Sequence, residues 1–278
     1  MKAAQFDYVE GTSVQQVLGV LKTAGDRAKL IAGSQSLGPM LNLRLTRPEI
    51  VVDVSKLAEM RTVTQHQNYV RVGASVTHAQ IEDGVFELLR THPVRHVAGR
   101  IAYRSVRNRG TIGGSLAHAD PAADWILACA AMDARIEVQS PAGVKLLTMQ
   151  QFMLAAYTTT LTADEVIVAV HFPEVSSQAR WAYQKFCRKT GEFAHASCAT
   201  YIDPTSKVAR IVVGALDGAP CLLSELAVRI AAQGLDGFDE STVQAALLKA
   251  LPQQDVISRQ MFTQVVLRCV KQALGVQK

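Results

Sequence analysis

Thr111-Ile112-Gly113-Gly114-Ser115, followed within ten residues by Ala119-Asp120-Pro121-Ala122-Ala123-Asp124, is one of two glycine loops that decide how this chain folds. The other is Leu30-Ile31-Ala32-Gly33-Ser34-Gln35-Ser36-Leu37, where a short apolar strand runs into a turn of small residues. Glycine lets a backbone reach positive φ and approach a ligand with no Cβ in the way. Successive exposed N–H groups in such a turn form a nest suited to phosphate oxygens. The hydroxyls of Ser34, Ser36, Thr111 and Ser115 add donors beside them. Two such nests can embrace a diphosphate from opposite sides.

Taken singly, each loop also reads as a plain turn between elements. Neither is a Gly-x-Gly-x-x-Gly fingerprint, and no Gly-x-x-x-x-Gly-Lys-Ser/Thr P-loop occurs, which disfavours a single-Rossmann NAD enzyme. Pattern alone therefore reaches a two-domain protein that binds a phosphorylated cofactor.

Outward from the first loop, Val14, Val17, Leu18 and Leu21 have the spacing of an amphipathic helix ending near Gly25. Strands are expected at residues 29–32, 50–54 and 69–73, and a helix over residues 77–90. Residues 94–109 read as one helix carrying Arg95, Arg100, Arg104, Arg107 and Arg109, after which the second loop breaks the pattern. Asp120-Pro121 looks like a helix start, with Asp120 as N-cap and Pro121 at the first helical position. Trp125, Ile126, Leu127, Ala128 and Met132 make that helix a buried one. Residues 134–138 and 144–147 flank Pro141-Ala142-Gly143 as a hairpin, and residues 166–172 form a strand ended by Pro173. The polar, aperiodic stretch 174–180 marks a domain boundary. Beyond it, two strand-like runs (196–202 and 209–216) and helices near 223–232, 241–251 and 258–274 make an α+β unit.

Composition narrows the function classes. A chain of 278 residues exceeds what one core usually holds, so two domains are expected. With 49% hydrophobic and 19% charged residues it is a packed protein, not a disordered one. No run approaches the roughly 18 to 20 apolar residues of a membrane span. The start, Met1 to Tyr8, lacks the apolar stretch of a secretory signal, so a cytoplasmic address is expected. A net charge of +5 with 6% aromatic residues gives no case for nucleic-acid binding. The five cysteines, Cys129, Cys187, Cys198, Cys221 and Cys269, include no close pair, so no iron–sulfur or zinc site follows from local spacing. Reduced, buried thiols are expected instead.

At its two glycine loops the chain resembles the medium, FAD-binding subunits of bacterial carbon monoxide dehydrogenase and related molybdenum hydroxylases, and the flavin domain of xanthine dehydrogenase. The family pattern Ala-Gly-Gly-x-Ser-Leu is met by Ala32 to Leu37, continuing into Pro39 and Asn42-Leu43-Arg44. The pattern Thr-Ile-Gly-Gly-Asn, then Ala-Asp-Pro-Ala-Ala-Asp, is met by Thr111 to Ser115 and Ala119 to Asp124. A later Lys-x-x-x-Arg-x-x-x-Glu/Asp segment of the family is met by Lys185, Arg188 and Glu192, with two residues instead of three between Lys185 and Arg188, followed by Phe193. The likeness runs in order over essentially the whole chain. Ser34 replaces the second glycine of the first loop, and a negative or mildly strained φ is expected of it. Ser115 stands where Asn or Asp is frequent, and Phe193 where some relatives place a Tyr facing the flavin.

The resemblance implies an α+β protein. Residues 1–175 would be an FAD-binding domain of two α/β subdomains (PCMH-type), and residues 176–278 a small C-terminal domain with an antiparallel sheet and helices. Residues 30 to 37 and 111 to 115 would hold the diphosphate and ribityl of FAD. Ile101, His118, Asp124, Ile167 and Lys185 stand at positions that touch the flavin or its adenosine half in relatives, with Phe193 near the ring. No catalytic or metal-ligating residue is assigned. Substrate would be oxidised at a molybdopterin centre on a large subunit. Electrons would pass through two [2Fe–2S] clusters on a small subunit to FAD and on to an external acceptor, in a dimer of heterotrimers. Two other functions stay open: a standalone flavin-dependent reductase, for which no acid or serine over the flavin is identifiable, and a flavin-free scaffold subunit in which Ser34 marks a degenerated site.

Each polar candidate also has a plainer role. Asp124 falls in a first helical turn, where the helix dipole favours any carboxylate. Lys185, in the strand-like run 181–187, is an ordinary solvated lysine on pattern alone. The five arginines are a solvated helix face or a partner contact. His118 and His195 have no Cys or Ser motif beside them to form a nucleophile pair, so they read as hydrogen-bonding residues.

Overall fold

The computed structural model describes residues 2–276. Its first layer is a parallel sheet in the order β1-β3-β2, from β1 (Asp7–Glu10), β2 (Ala28–Ile31) and β3 (Ile50–Asp53). Parallel neighbours need crossover connections, and α1 (Val14–Ala24) and α2 (Leu37–Asn42) lie on them. The Ser13 hydroxyl accepts from the Gln16 N–H at 3.1 Å and starts α1. Val14, Val17, Leu18, Leu21 and Ala24 are buried, the face expected from their spacing.

The second layer is antiparallel throughout, in the order β4-β5-β10-β6-β7. Its strands are β4 (Val63–His66), β5 (Tyr69–Gly73), β6 (Arg135–Ser140), β7 (Gly143–Leu147) and β10 (Val166–Pro173), with β8 (Met153–Ala155) and β9 (Thr158–Thr159) forming a separate ribbon. Period two sorts the faces. Val70, Val72, Ile136, Val138, Val170 and Phe172 are buried in the main core. Arg71 and Glu137 stand on the other face, joined at 2.7 and 3.1 Å, with His171 2.6 Å from the same carboxylate. Burial pushes the Glu137 carboxyl up, but His171 and Arg71 outweigh it and hold it at about 2.

Between β5 and β6 the chain makes α3 (His78–Glu82), α4 (Val94–Gly99), α5 (Arg104–Arg107), α6 (Ile112–His118) and α7 (Asp124–Ala131); α8 (Met149–Phe152) follows β7. Several expectations are corrected in this stretch. The helix over 77–90 stops at Glu82, because Gly84 turns at φ +66° before a 3-10 turn over Glu87–Leu89. The helix over 94–109 is two helices parted by a turn through Ala102 at φ +40°. Thr111 to Ser115 is no break but the cap and first turn of α6. Asp120 does not cap α7, which begins at Asp124 after Ala123. It instead ties the intervening turn, accepting from the Ala122 N–H at 2.9 Å and the Tyr157 hydroxyl at 3.2 Å.

The third layer is the sheet β11 (Arg180–Phe186), β12 (Ala196–Asp203), β13 (Val208–Gly214) and β14 (Cys221–Leu222), antiparallel and in sequence order. α9 (Ser224–Gln233), α10 (Glu240–Ala250) and α11 (Val256–Ala273) follow. All eight residues of β12 are buried because both its faces are covered. Ala196, Cys198 and Ile202 join the core beneath these helices, whereas Ala199 joins the main core on the α7 side. All eight residues of α7 are buried as well, as expected of a helix apolar all round. Cys129, Cys198 and Cys269 are buried free thiols, and Cys187 and Cys221 are only half-buried.

The packing behind α6 makes a prediction about pH. His78 is buried, its Nδ1 accepts from Trp125 Nε1 at 3.1 Å, and its backbone N–H reaches the Gly110 carbonyl at 2.9 Å. Burial, with Arg107 nearby, pushes its pKa down to about 3. The folded value lies below the unfolded value of about 6.5, so the stabilisation is present above that pH and lost as the pH falls towards 3. Denaturant titrations should show stability falling below pH 6.5 by up to about 1.4 kcal/mol per pH unit. His78→Gln should flatten that slope, and an unchanged slope would assign it to another group.

Candidate cofactor site

The first loop leaves β2 and turns into α2. Leu30 and Ile31 are half-buried strand residues paired with Val52 and Asp53 of β3, and Leu37 is the first residue of α2. Between them, Ser34 adopts φ +62°. Of the two conformations expected, a negative or a mildly strained φ, Ser34 has the strained one: the position is left-handed, which costs a non-glycine residue roughly 1–2 kcal/mol. The Ser34 and Ser36 carbonyls accept from the N–H groups of Gly38 and Met40, each at 3.2 Å. The N–H groups of Gly33, Ser34, Gln35 and Ser36 have no acceptor among the described residues. Four successive unspent donors in a turn are a nest. The Gln35 side chain folds back onto the Gly33 carbonyl at 2.9 Å, and Ala32 is half-buried beside it.

Gly33 is needed for contact rather than for dihedral freedom. A Cβ there would lie 2.0 Å from the Arg109 carbonyl oxygen and 2.8 Å from Gly110 Cα. The first loop therefore rests, backbone to backbone, on the two residues that lead into the second.

The second loop does not supply a matching nest. The Ile112 N–H reaches Val76 O at 3.1 Å, Gly113 N–H reaches Ala74 O at 2.9 Å, and Gly114 N–H reaches Thr111 Oγ1 at 3.1 Å. Ser115 N–H closes on Thr111 O at 3.0 Å, so these donors are spent inside the fold. The two glycines divide the work. A Cβ on Gly113 would lie 2.5 Å from the Ala74 methyl, whereas one on exposed Gly114 would meet only Thr111 Oγ1, at 2.9 Å. Ile112 is a core residue, and Ser115 and His118 are half-buried. The His118 ring lies 5.2 Å from that of Tyr157.

A third group closes around Asp124. Lys185 Nζ donates to Asp124 Oδ1 at 3.0 Å and to the Arg100 carbonyl at 2.9 Å. The two side chains are 5% and 7% exposed, so Lys185 is not the solvated lysine that pattern alone allowed. The Tyr183 hydroxyl donates to the same Oδ1 at 2.5 Å, and the Arg100 guanidinium lies 5.7 Å from the Tyr183 ring centre. Tyr183 was not among the sequence candidates. Its signal was alternation, since period two sets Trp181, Tyr183 and Lys185 on one face of a strand.

Three of the five arginines serve neighbouring structure rather than forming a free face. Arg107 clasps Glu82 at 2.7 and 2.9 Å and donates to the carbonyls of Ile101 and Ala102 at 2.9 and 3.0 Å. Arg104 grips Asp83 at 2.7 and 2.6 Å, and Arg95 donates to the Glu82 carbonyl at 2.9 Å. The Arg107 guanidinium, with Arg104 behind it, holds the Glu82 carboxyl below its ordinary range despite some burial. The turn at 101–103 is thereby fixed beneath the loop after β11. There Gly191, at φ +92°, leaves only 2.9 Å between a would-be Cβ and the Tyr103 ring. Ile101 is half-buried in that turn, and Phe193 is 62% exposed. Ile167 sits at the register shift in β10, 5% exposed, within the main core. His195 is exposed beside Phe186.

Comparison with known proteins gives the family. Residues 4–175 match the family described as the FAD binding domain in molybdopterin dehydrogenase. The chain is 33% identical to subunit alpha of the 6-hydroxypseudooxynicotine dehydrogenase complex of Paenarthrobacter nicotinovorans, over 78% of this chain and 74% of that one. It is 32% identical to the carbon monoxide dehydrogenase medium chain of Hydrogenophaga pseudoflava, over 87% and 84%. A solved structure of the carbon monoxide dehydrogenase from the same organism superposes with a TM-score of 0.88 at 29% identity, covering 100% of both chains. The chain belongs to the FAD-binding subunits of the molybdenum hydroxylase family, and FAD is its cofactor.

Proposed function

We propose that this chain is the electron-carrying station of a heteromeric molybdenum hydroxylase, taking electrons from iron–sulfur clusters on a small subunit and passing them to an external acceptor. A large subunit would hold the molybdopterin, and the assembly would be a dimer of heterotrimers. Support for the heteromeric context comes from relatives named as a complex subunit and as a medium chain. Among the described residues no helix is long and apolar enough to cross a membrane; a cytoplasmic address is part of the proposal. The division into a flavin-binding unit, 1–175, and a C-terminal unit, 176–278, is part of the same proposal.

The observation that carries the reading is the nest at residues 33–36, with four free N–H donors pressed against the second loop. That cradle suits a diphosphate, with the Ser34, Ser36 and Ser115 hydroxyls at hand and Gly114 leaving its flank open. Asp124 and Lys185 form a buried polar pair that orients a donor group of the cofactor. The turn at 101–103 and the loop carrying Phe193 flank the same region. Flavin accepts and releases electrons singly or in pairs, which suits a station between one-electron clusters and a two-electron acceptor. The protein's part is to bind, orient and shield it.

A tagged chain isolated from its own cells should bring down iron- and molybdenum-containing partners, whereas the isolated chain should contain neither metal. Stoichiometric iron in the isolated chain, or substrate turnover without partners, would overturn the electron-carrier role. The flavin should be non-covalent, at about one per chain. Cys129 is fully buried in α7, and the His118 ring lies tilted against that of Tyr157. Acid precipitation should leave all yellow colour in the supernatant, and colour in the pellet would contradict this.

Gly114→Val should weaken FAD binding by about tenfold or more while the chain still folds, because its methyls would fill the open flank and push the diphosphate off a free donor of residues 33–36, a loss of about one charge-assisted hydrogen bond. Gly113→Val should prevent folding, because Ala74 has no room to move away. Full flavin occupancy in Gly114→Val, read from absorbance, would remove this flank from the site. Ser34→Gly should raise stability by about 1 kcal/mol, the relief of a left-handed residue less the extra freedom of an unfolded glycine. A lower melting temperature would show that the Ser34 hydroxyl contributes more than its backbone costs.

A further inference from the structure

We propose that Tyr183 is a positioning residue of the cofactor site: it locks the Asp124 carboxylate so that one fixed oxygen faces the cofactor, and thereby makes cofactor affinity depend on docking of the C-terminal sheet. The proposal rests on the reading of Asp124 as a cofactor residue given above.

The lock is visible in how donors are shared out. Both the Tyr183 hydroxyl, at 2.5 Å, and Lys185 Nζ, at 3.0 Å, donate to Oδ1 of Asp124. Oδ2 has no hydrogen-bond partner among the described residues. A carboxylate with one donor can swing about its terminal torsion, which is soft and roughly two-fold. With two donors on one oxygen, a swing breaks both bonds at once. Oδ2 is thus the oxygen left for a hydroxyl or N–H of the cofactor.

Tyr183 is built to do this and little else with its hydroxyl. It is 1% exposed, with its ring packed in the main core near the Arg100 guanidinium. Burial, reinforced by the charge of Asp124, pushes its phenol well above the ordinary range, so it stays a donor at any working pH. The parts also come from two places. Asp124 opens α7 and Arg100 ends α4, whereas Tyr183 and Lys185 both stand on β11, in the C-terminal sheet. The oxygen offered to the cofactor is therefore set only when that sheet sits on the helical layer.

The test is a double-mutant cycle on the whole chain, stripped of flavin and titrated with FAD, with the melting temperature of each apo-chain measured alongside. Tyr183→Phe keeps the ring and removes one donor. It should raise the Kd for FAD about tenfold with little change in melting temperature. Asp124→Asn should raise the Kd at least as much. Adding Tyr183→Phe to Asp124→Asn should then change nothing further, because the residue acts through that carboxylate. A purely structural tyrosine would shift the melting temperature but would not show this lack of additivity. Multiplying factors, an unchanged Kd in Tyr183→Phe, or failure of that variant to fold would each overturn the positioning role. An unchanged Kd in Asp124→Asn alone would instead sink the placement of Asp124 at the cofactor.

Discussion

Gly33 lies so close to the Arg109 carbonyl that the two backbones leave no space for a Cβ, and much of the molecule is arranged around that contact. Residues 109–110 must be held still for the first loop to rest on them. The His78 N–H holds the Gly110 carbonyl at 2.9 Å, and the His78 ring in turn receives the Trp125 indole from α7. A chain of short-range contacts thus runs from the parallel sheet, through α3, into the buried helix whose first residue is Asp124. The stiffness comes from backbone and core contacts, which cannot adjust as a long side chain can.

The two loops look equivalent in sequence but play different parts. At residues 33–36 the N–H groups are unspent, so an anion has four donors to meet. At residues 112–115 the N–H groups close on Val76, Ala74 and Thr111, and the loop contributes a firm helix start and an uncluttered flank at Gly114. One loop keeps its donors free and the other braces. The asymmetry follows from α6 being packed against β10 and α7, where an unsatisfied buried N–H costs about 1–3 kcal/mol.

Charge is handled in the same economical way. Arg104 and Arg107 grip Asp83 and Glu82 and pin the turn after α4, whose Ala102 sits at φ +40°. That turn supplies the Arg100 carbonyl to Lys185 and the Tyr103 ring to Gly191. An arginine-rich segment thereby becomes the floor on which the C-terminal strand β11 lands. Its role is to place β11, with Tyr183 and Lys185, across from Asp124.

Much of this was legible in the residues themselves. The α1 stripe from Val14 to Leu21, the hairpin around Pro141 to Gly143 and the all-apolar α7 follow from period and turn chemistry, which act over a few residues. The loop patterns and their order pointed to the flavin family, because a backbone that must approach another backbone tolerates only glycine at positions such as 33 and 113. What local rules could not decide was which N–H groups are already taken. Ser34 being left-handed, Asp120 tying a turn rather than capping α7, and residues 94–109 splitting at Ala102 all depend on partners far away in the chain. So does the Asp124–Lys185–Tyr183 cluster, whose members lie 59 and 61 residues from Asp124. Sequence determined which groups can donate, accept or turn; only the packing of three layers decided which of those groups remain free for a ligand, since a hydrogen bond made inside the fold is no longer available outside it.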